Sequence, residues 1–299
     1  MKKIVFGIGM LVVIFFAIFL AINFGSKKQT QTGKVAVVTT LFPLYDFAKN
    51  VGGDKVEVTL LLPPGVEAHT FEPKPSDIVK VNGADFFVFT GKFMEPWAQD
   101  IIDGLSNKDI KIVDSSAGIE LPKENGVTDP HIWLDFDNAK IIVNNVTKNL
   151  VEKDPVNADY YVNNAESYKE KLSKLDADYS SAFSKCNNKK IIYGGHYAFA
   201  YMGKRYGLQY EAAYGVSPDS EPSAKDLMEL VEQIKKGNIK YVFYEELVSP
   251  KVAETLAHET GTALLLLNPG HNLTKSEFES NMTFIEIMES NLKNLELNC

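Results

Sequence analysis

Short apolar runs rich in β-branched residues alternate along this chain with stretches whose apolar positions recur every three or four residues. In the first half, Val35–Thr40, Val56–Leu62, Phe86–Thr90 and Lys111–Asp114 read as strands, and Pro43–Val51, Ser76–Val81 and Pro96–Leu105 as helices. The second half repeats the rhythm, with strands at Lys190–Tyr193, Leu208–Ala212, Tyr241–Tyr244 and Ala263–Leu267. Its helices fall at Ala198–Tyr206, Ala224–Lys236, Pro250–Thr260 and Glu277–Leu295. Strand and helix alternating at this spacing predict two similar α/β lobes with parallel sheets. Pro75-Ser76 and Pro222-Ser223 open helices at comparable places in the two halves, a weak sign of an internal repeat because Ser is a common N-cap in any case.

Between the halves lies the longest helical pattern in the chain. Asp154 and Pro155 suit a helix start, and the stripe Tyr161, Ala165, Tyr168, Leu172, Leu175, Tyr179, Phe183 then steps by three and four. Continuous from Asp154 to about Ser184, such a helix is roughly 45 Å long, enough to run beside two small lobes and limit their hinging. The predicted organisation is a first lobe over residues 34–153, a linking helix over 154–186 and a second lobe over 187–299.

The beginning of the chain stands apart. Lys2 and Lys3 precede an uncharged, mostly apolar run from Ile4 to Ser26, about the length needed to span a bilayer. It reads either as an uncleaved anchor with its N-terminus inside or as a cleaved signal peptide, and both readings place the body outside the cytoplasm. Gln29 to Gly33 forms part of a polar tether over residues 27–33. The full chain of 299 residues carries a net charge of −8; without residues 1–26, 29 basic residues face 39 acidic ones, a net of −10. That balance, with no block of Lys and Arg, argues against nucleic acid as a partner. Two cysteines, Cys186 and Cys299, exclude a four-thiolate metal site or a disulfide scaffold. They end the linking helix and the chain, so they fit either free thiols or one disulfide at the base of the second lobe, which an extracytoplasmic setting permits.

The chemistry gathers in the histidines. His69 follows the strand ending at Leu62, His131 lies in Asp129-Pro130-His131-Ile132-Trp133, His196 follows Tyr193-Gly194-Gly195, and His271 follows Asn268-Pro269-Gly270. Three of these loops leave the carboxyl ends of strands, where parallel sheets bind ligands. His258 alone falls inside a predicted helix. Two histidines from each half, facing across a cleft between the lobes, make a four-nitrogen site that suits zinc. No His-Glu-x-x-His pair pairs a metal with a general base.

The segments PPGVEAHTFEPKPSD, DPHIWLD, GGHYAFAYMGKRYG, SPDSEPSAKDL and YEELVSPKVAETLAHETG closely resemble the zinc/manganese-binding proteins of bacterial and archaeal ABC uptake systems (cluster A, or periplasmic solute-binding protein family 9). The resemblance runs from about Lys34 to Leu295. It implies two α/β lobes joined by one long helix, a metal in the cleft, ligands at His69, His131 and His196, and delivery to a membrane ABC permease. Histidine at the third position resembles the zinc-binding members. The fourth position departs from the family: Asn268 stands where many relatives carry Asp, and His271 fills the slot of a Glu used by some zinc-binding relatives. Glu246 is the alternative fourth ligand. A second departure is the short Leu121–Thr128 segment, where many zinc-binding relatives carry a long His- and acid-rich loop.

The expectation is a monomeric extracytoplasmic protein, at the cell surface or in the periplasm, that binds Zn2+ as cargo and performs no covalent chemistry. Mn2+ or iron capture by the same fold is the near alternative. A zinc-dependent hydrolase with three histidines and a metal-bound water is the distant one, distinguished by turnover and an open metal position. The apolar run at residues 4–26 makes a direct prediction: the full-length chain sediments with membranes and resists carbonate extraction. Recovery of a soluble form beginning near Lys27 would show a cleaved signal instead.

Overall fold

A computed structural model describes residues 33–124, 126–216 and 222–299. The N-terminal apolar run and all but the last residue of the tether lie outside the described residues. Among the described residues no helix is long and apolar enough to cross a membrane.

The β-branched and aromatic runs form two four-stranded sheets, parallel throughout. In the first half these are β1 (Val35–Thr39), β2 (Val56–Leu60), β3 (Phe86–Phe89) and β4 (Lys111–Asp114), in the order β2-β1-β3-β4. A two-residue antiparallel hairpin, β5 (Lys123–Glu124) with β6 (Val127–Thr128), occupies the short segment before His131. The second sheet contains β7 (Lys190–Tyr193), β8 (Gln209–Ala212), β9 (Tyr241–Tyr244) and β10 (Ala263–Leu266), in the order β10-β9-β7-β8. Successive side chains along a strand point to opposite faces. Ile191, Tyr193 and Phe243 accordingly join the main core, while Ile192 and Val242 join a small separate core with Leu230, Ile234 and Leu256.

Ala158–Ser184 is the linking helix, and its buried residues are the seven of the predicted stripe. At 27 residues it is roughly 40 Å long. The helix starts later than the sequence suggests, because Pro155–Asn157 form a 3-10 turn first. Asp154 holds that turn by accepting from Asn157 Nδ2 at 2.6 Å and Tyr161 Oη at 2.7 Å. Tyr168 Oη donates to Asp46 Oδ2 on the helix Phe42–Gly52 at 2.6 Å, and Tyr179 Oη donates to the Met288 carbonyl at 2.7 Å. The helix is thus bonded to the helix Phe42–Gly52 near its middle and to the C-terminal helix nearer its C-terminal end.

Two local expectations change. The single predicted helix Glu277–Leu295 is two helices, Lys275–Glu279 and Phe284–Leu297. Thr274 with Glu277 and Thr283 with Glu286 each form a capping box, and Asn281 takes a left-handed conformation (φ 57°) between them. The matching Pro-Ser pairs also play different parts. Ser223 caps its helix through the Asp226 N–H, whereas Pro75 and Ser76 lie inside the first turn of theirs.

Cys186 and Cys299 form a disulfide that closes a loop of 113 residues around the second half. Cross-linking a loop of that length removes roughly 4–5 kcal/mol of unfolded-chain entropy in the chain-entropy account. The double variant Cys186→Ser/Cys299→Ser should therefore melt about 10 °C below the oxidised parent, and reduced parent should melt with the variant. Identical midpoints for all three in thermal circular dichroism would mean that the bond contributes nothing.

Candidate metal centre

Each of the four loop histidines occupies an irregular segment beyond the end of a strand or hairpin, where backbone geometry is set by side-chain bonds rather than by a ladder. His131, His196 and His271 are fully buried, and His69 is partly exposed. His131 Nε2 lies 3.0 Å from His196 Nε2 and 3.3 Å from His69 Nε2. Nitrogens arranged tetrahedrally about 2.0–2.1 Å from a zinc ion would be about 3.3–3.4 Å apart, so the three converge at ligand spacing. His258, by contrast, is 87 % exposed in its side chain and belongs to the helix Lys251–Thr260.

Carboxylates behind two of the rings fix their orientation. Asp129 Oδ1 accepts from the His131 backbone N–H at 3.0 Å and lies 2.8 Å from His131 Nδ1. Glu245 Oε2 does the same for His196, at 3.1 Å and 2.7 Å. With Nδ1–H donated to a carboxylate, the lone pair sits on Nε2 and faces the common point. Gly195 is required here, since a Cβ at that position would fall 2.5 Å from Glu245 Oε2.

His271 completes the group from another side. It shares a second cluster with His196 and Glu245, whose ligand atoms lie within 4.8 Å of one another. Its ring centroid is 5.7 Å from that of His196. Both His271 nitrogens are buried with no hydrogen-bond partner, as are Glu245 Oε1 and Glu67 Oε1. Glu67 Oε1 stands 4.0 Å from His271 Nε2, while Glu67 Oε2 accepts from Thr70 N and Oγ1 in the turn that carries His69. Buried polar atoms left without partners are rare, and several facing one point mark a place for a cation.

Glu246, the alternative fourth ligand, is not brought into either cluster. Its carboxylate accepts from Asn268 Nδ2, on the far side of the chain leaving β9. Burial and the neighbouring Glu277 carboxylate push it up to about 8. Asn268 is a turn-former, accepting from Gly270 N at 2.7 Å and exchanging two bonds with Asn291. Asp135, close to His131 in sequence, caps the helix Phe136–Lys153 and pairs with Arg205. The residues that orient the rings, Asp129 and Glu245, and the nearby Glu67 escape the sequence reading. Their signal is slight: one acid two positions before each of His69 and His131, and one at the end of β9.

The electrostatics favour neutral imidazole at three of the four positions. Burial, with the charge of His196, holds His69 down to about 3 and His131 well below its ordinary range. Burial also lowers His271. At His196 burial works in the same direction, but the charge and hydrogen bond of Glu245 overcome it and raise the pKa.

The family model for the zinc-uptake complex component A, periplasmic (ZnuA), matches residues 37–297, and the chain belongs to that family. It is 36% identical to the zinc-binding protein AdcA of Streptococcus pyogenes serotype M18 (strain MGAS8232), over 99% of this chain and 62% of that one. The chain therefore spans less than two thirds of the length of that streptococcal relative. Against the high-affinity zinc uptake system protein ZnuA of Bacillus subtilis (strain 168) it is 36% identical, over 90% of this chain and 89% of the relative. The solved Zn(II)-bound ZnuA-like domain of Streptococcus pneumoniae AdcA superposes with a TM-score of 0.78 at 37% identity, covering 89% of this chain and 99% of that domain.

Proposed function

We propose that this member of the zinc-uptake component family captures Zn2+ outside the cytoplasm and delivers it to a membrane ABC permease, with His69, His131, His196 and His271 as the ligands. The observation that carries the reading is the convergence of three Nε2 atoms at 3.0 and 3.3 Å, with carboxylates behind His131 and His196. Names of relatives support it: a zinc-binding protein and a high-affinity zinc uptake protein. In this reading the chain works as a monomer and anchors or is secreted through residues 4–26.

Imidazole is a borderline donor that suits zinc, whereas manganese favours carboxylate and water oxygens, and the Irving–Williams order adds to the preference. Four protein donors leave no position open for the water on which a hydrolytic zinc depends, so the site stores and releases. His271 supplies the fourth donor because its ring nitrogens have no other partner in a buried setting. Glu246 is occupied with Asn268.

In competition dialysis against equal concentrations, the chain should retain zinc and exclude manganese; equal or better retention of manganese overturns the zinc assignment. His271→Ala should weaken zinc binding at least tenfold and admit a metal-bound water, detectable by pulsed electron–nuclear methods on a substituted paramagnetic ion. Glu246→Ala and His258→Ala should leave zinc affinity within twofold of the parent. A loss with Glu246→Ala and none with His271→Ala would transfer the fourth position to the carboxylate.

A further inference from the structure

The chain has two tryptophans, and each donates its one indole N–H to a backbone carbonyl close to a histidine of the cluster. Trp97 Nε1 donates to the carbonyl of Ala68, the residue before His69, at 3.1 Å. Trp133 Nε1 donates to the carbonyl of Pro269, two residues before His271, at 2.8 Å. Both indoles are buried, 6% and 1% exposed. Trp97 meets Phe71 edge to face at 4.9 Å, and Trp133 meets the His131 ring in the same way at 5.5 Å.

We infer that Trp97 and Trp133 are positioning residues for the metal site, acting through Ala68 on His69 and through Pro269 on His271. Neither carbonyl lies within a strand or helix, so no ladder fixes it. An indole N–H donates along one fixed direction in the ring plane, and a buried ring transmits that direction to the loop it grips. Trp133 belongs to the 3-10 turn Ile132–Leu134 directly after His131, and Pro269 lies beyond β10. Its bond therefore ties the turn that follows one ligand to the turn that precedes another, on the Pro269 side of His271, while Phe42 N bonds the His271 carbonyl itself at 3.1 Å. Trp97 is itself anchored, because Glu95 two residues earlier accepts from Thr90 N at 3.0 Å and Gly91 N at 3.1 Å. This rests on the zinc-capture reading and adds to it the groups that fix donor spacing.

Double-mutant cycles test it, with zinc affinity measured by competition against a chromogenic chelator and folding followed by circular dichroism. Trp133→Phe should weaken zinc binding roughly tenfold in the parent and less than twofold in a His271→Ala background. Trp97→Phe should behave alike against His69→Ala. The visible absorption of the Co2+-loaded chain should lose intensity in Trp133→Phe as tetrahedral geometry relaxes. Should Phe leave either site underpacked, benzothienylalanine in place of both tryptophans keeps the bicyclic shape without the N–H and should weaken binding in the same direction. Full effects persisting without His271 or His69, or unchanged affinity with benzothienylalanine, would overturn the inference. A parent chain that binds no zinc would overturn the functional reading instead.

Discussion

Three imidazole nitrogens, with that of His131 3.0 Å from one and 3.3 Å from the other and two of the three rings fully buried, form the constraint around which this structure is arranged. Lone pairs at that distance repel unless a cation or a shared proton sits among them, and burial makes the repulsion stronger than it would be in water. The surrounding features answer that cost. Asp129 and Glu245 fix two tautomers from behind, Gly195 makes room for one of those carboxylates, and backbone bonds hold the carrying loops. Structural packing alone gives no reason to place four histidines so, and their donor atoms are grouped as a metal ion would need them.

The linking helix supplies the stiffness that such a centre requires. Its apolar stripe is buried along seven positions, and Tyr168 near its middle and Tyr179 nearer its C-terminal end are bonded to different parts of the fold. The disulfide adds a covalent tie at the helix's C-terminal side, joining Cys186 to the end of the last helix. A preorganised set of donors binds its ion without first ordering loops, so less of the interaction is spent on conformational entropy.

What the sequence made legible follows from which forces act locally. Alternation and three-four spacing come from burial against a neighbour, so the strands, the covering helices and the stripe from Tyr161 to Phe183 could be read directly. Histidines in loops after strands were legible as a group because few other arrangements concentrate them so. The choice between Glu245 and Glu246 was not, since adjacent residues leaving β9 point to opposite sides and only tertiary contacts decide which side holds His196. The break at Asn281 did carry a local signal: Thr274-Lys275-Ser276-Glu277 and Thr283-Phe284-Ile285-Glu286 are two helix starts, which outweigh an uninterrupted apolar periodicity.

Sequence symmetry suggests two ligands on each side of the cleft, but hydrogen bonding divides them otherwise. His271 follows a strand of the second sheet, yet its carbonyl accepts from Phe42 N at 3.1 Å and the Leu273 carbonyl accepts from Gly65 N at 2.7 Å. Asn272 Nδ2 donates to the carbonyls of Pro63 and Val66, both at 2.8 Å, and the Pro269 carbonyl accepts from Trp133. The loop is therefore latched to the half of the chain that carries His69 and His131. His196, with Glu245 behind it, is the donor left to the second sheet. By hydrogen bonding the four histidines therefore divide three and one between the two halves of the chain, although by sequence position they divide two and two.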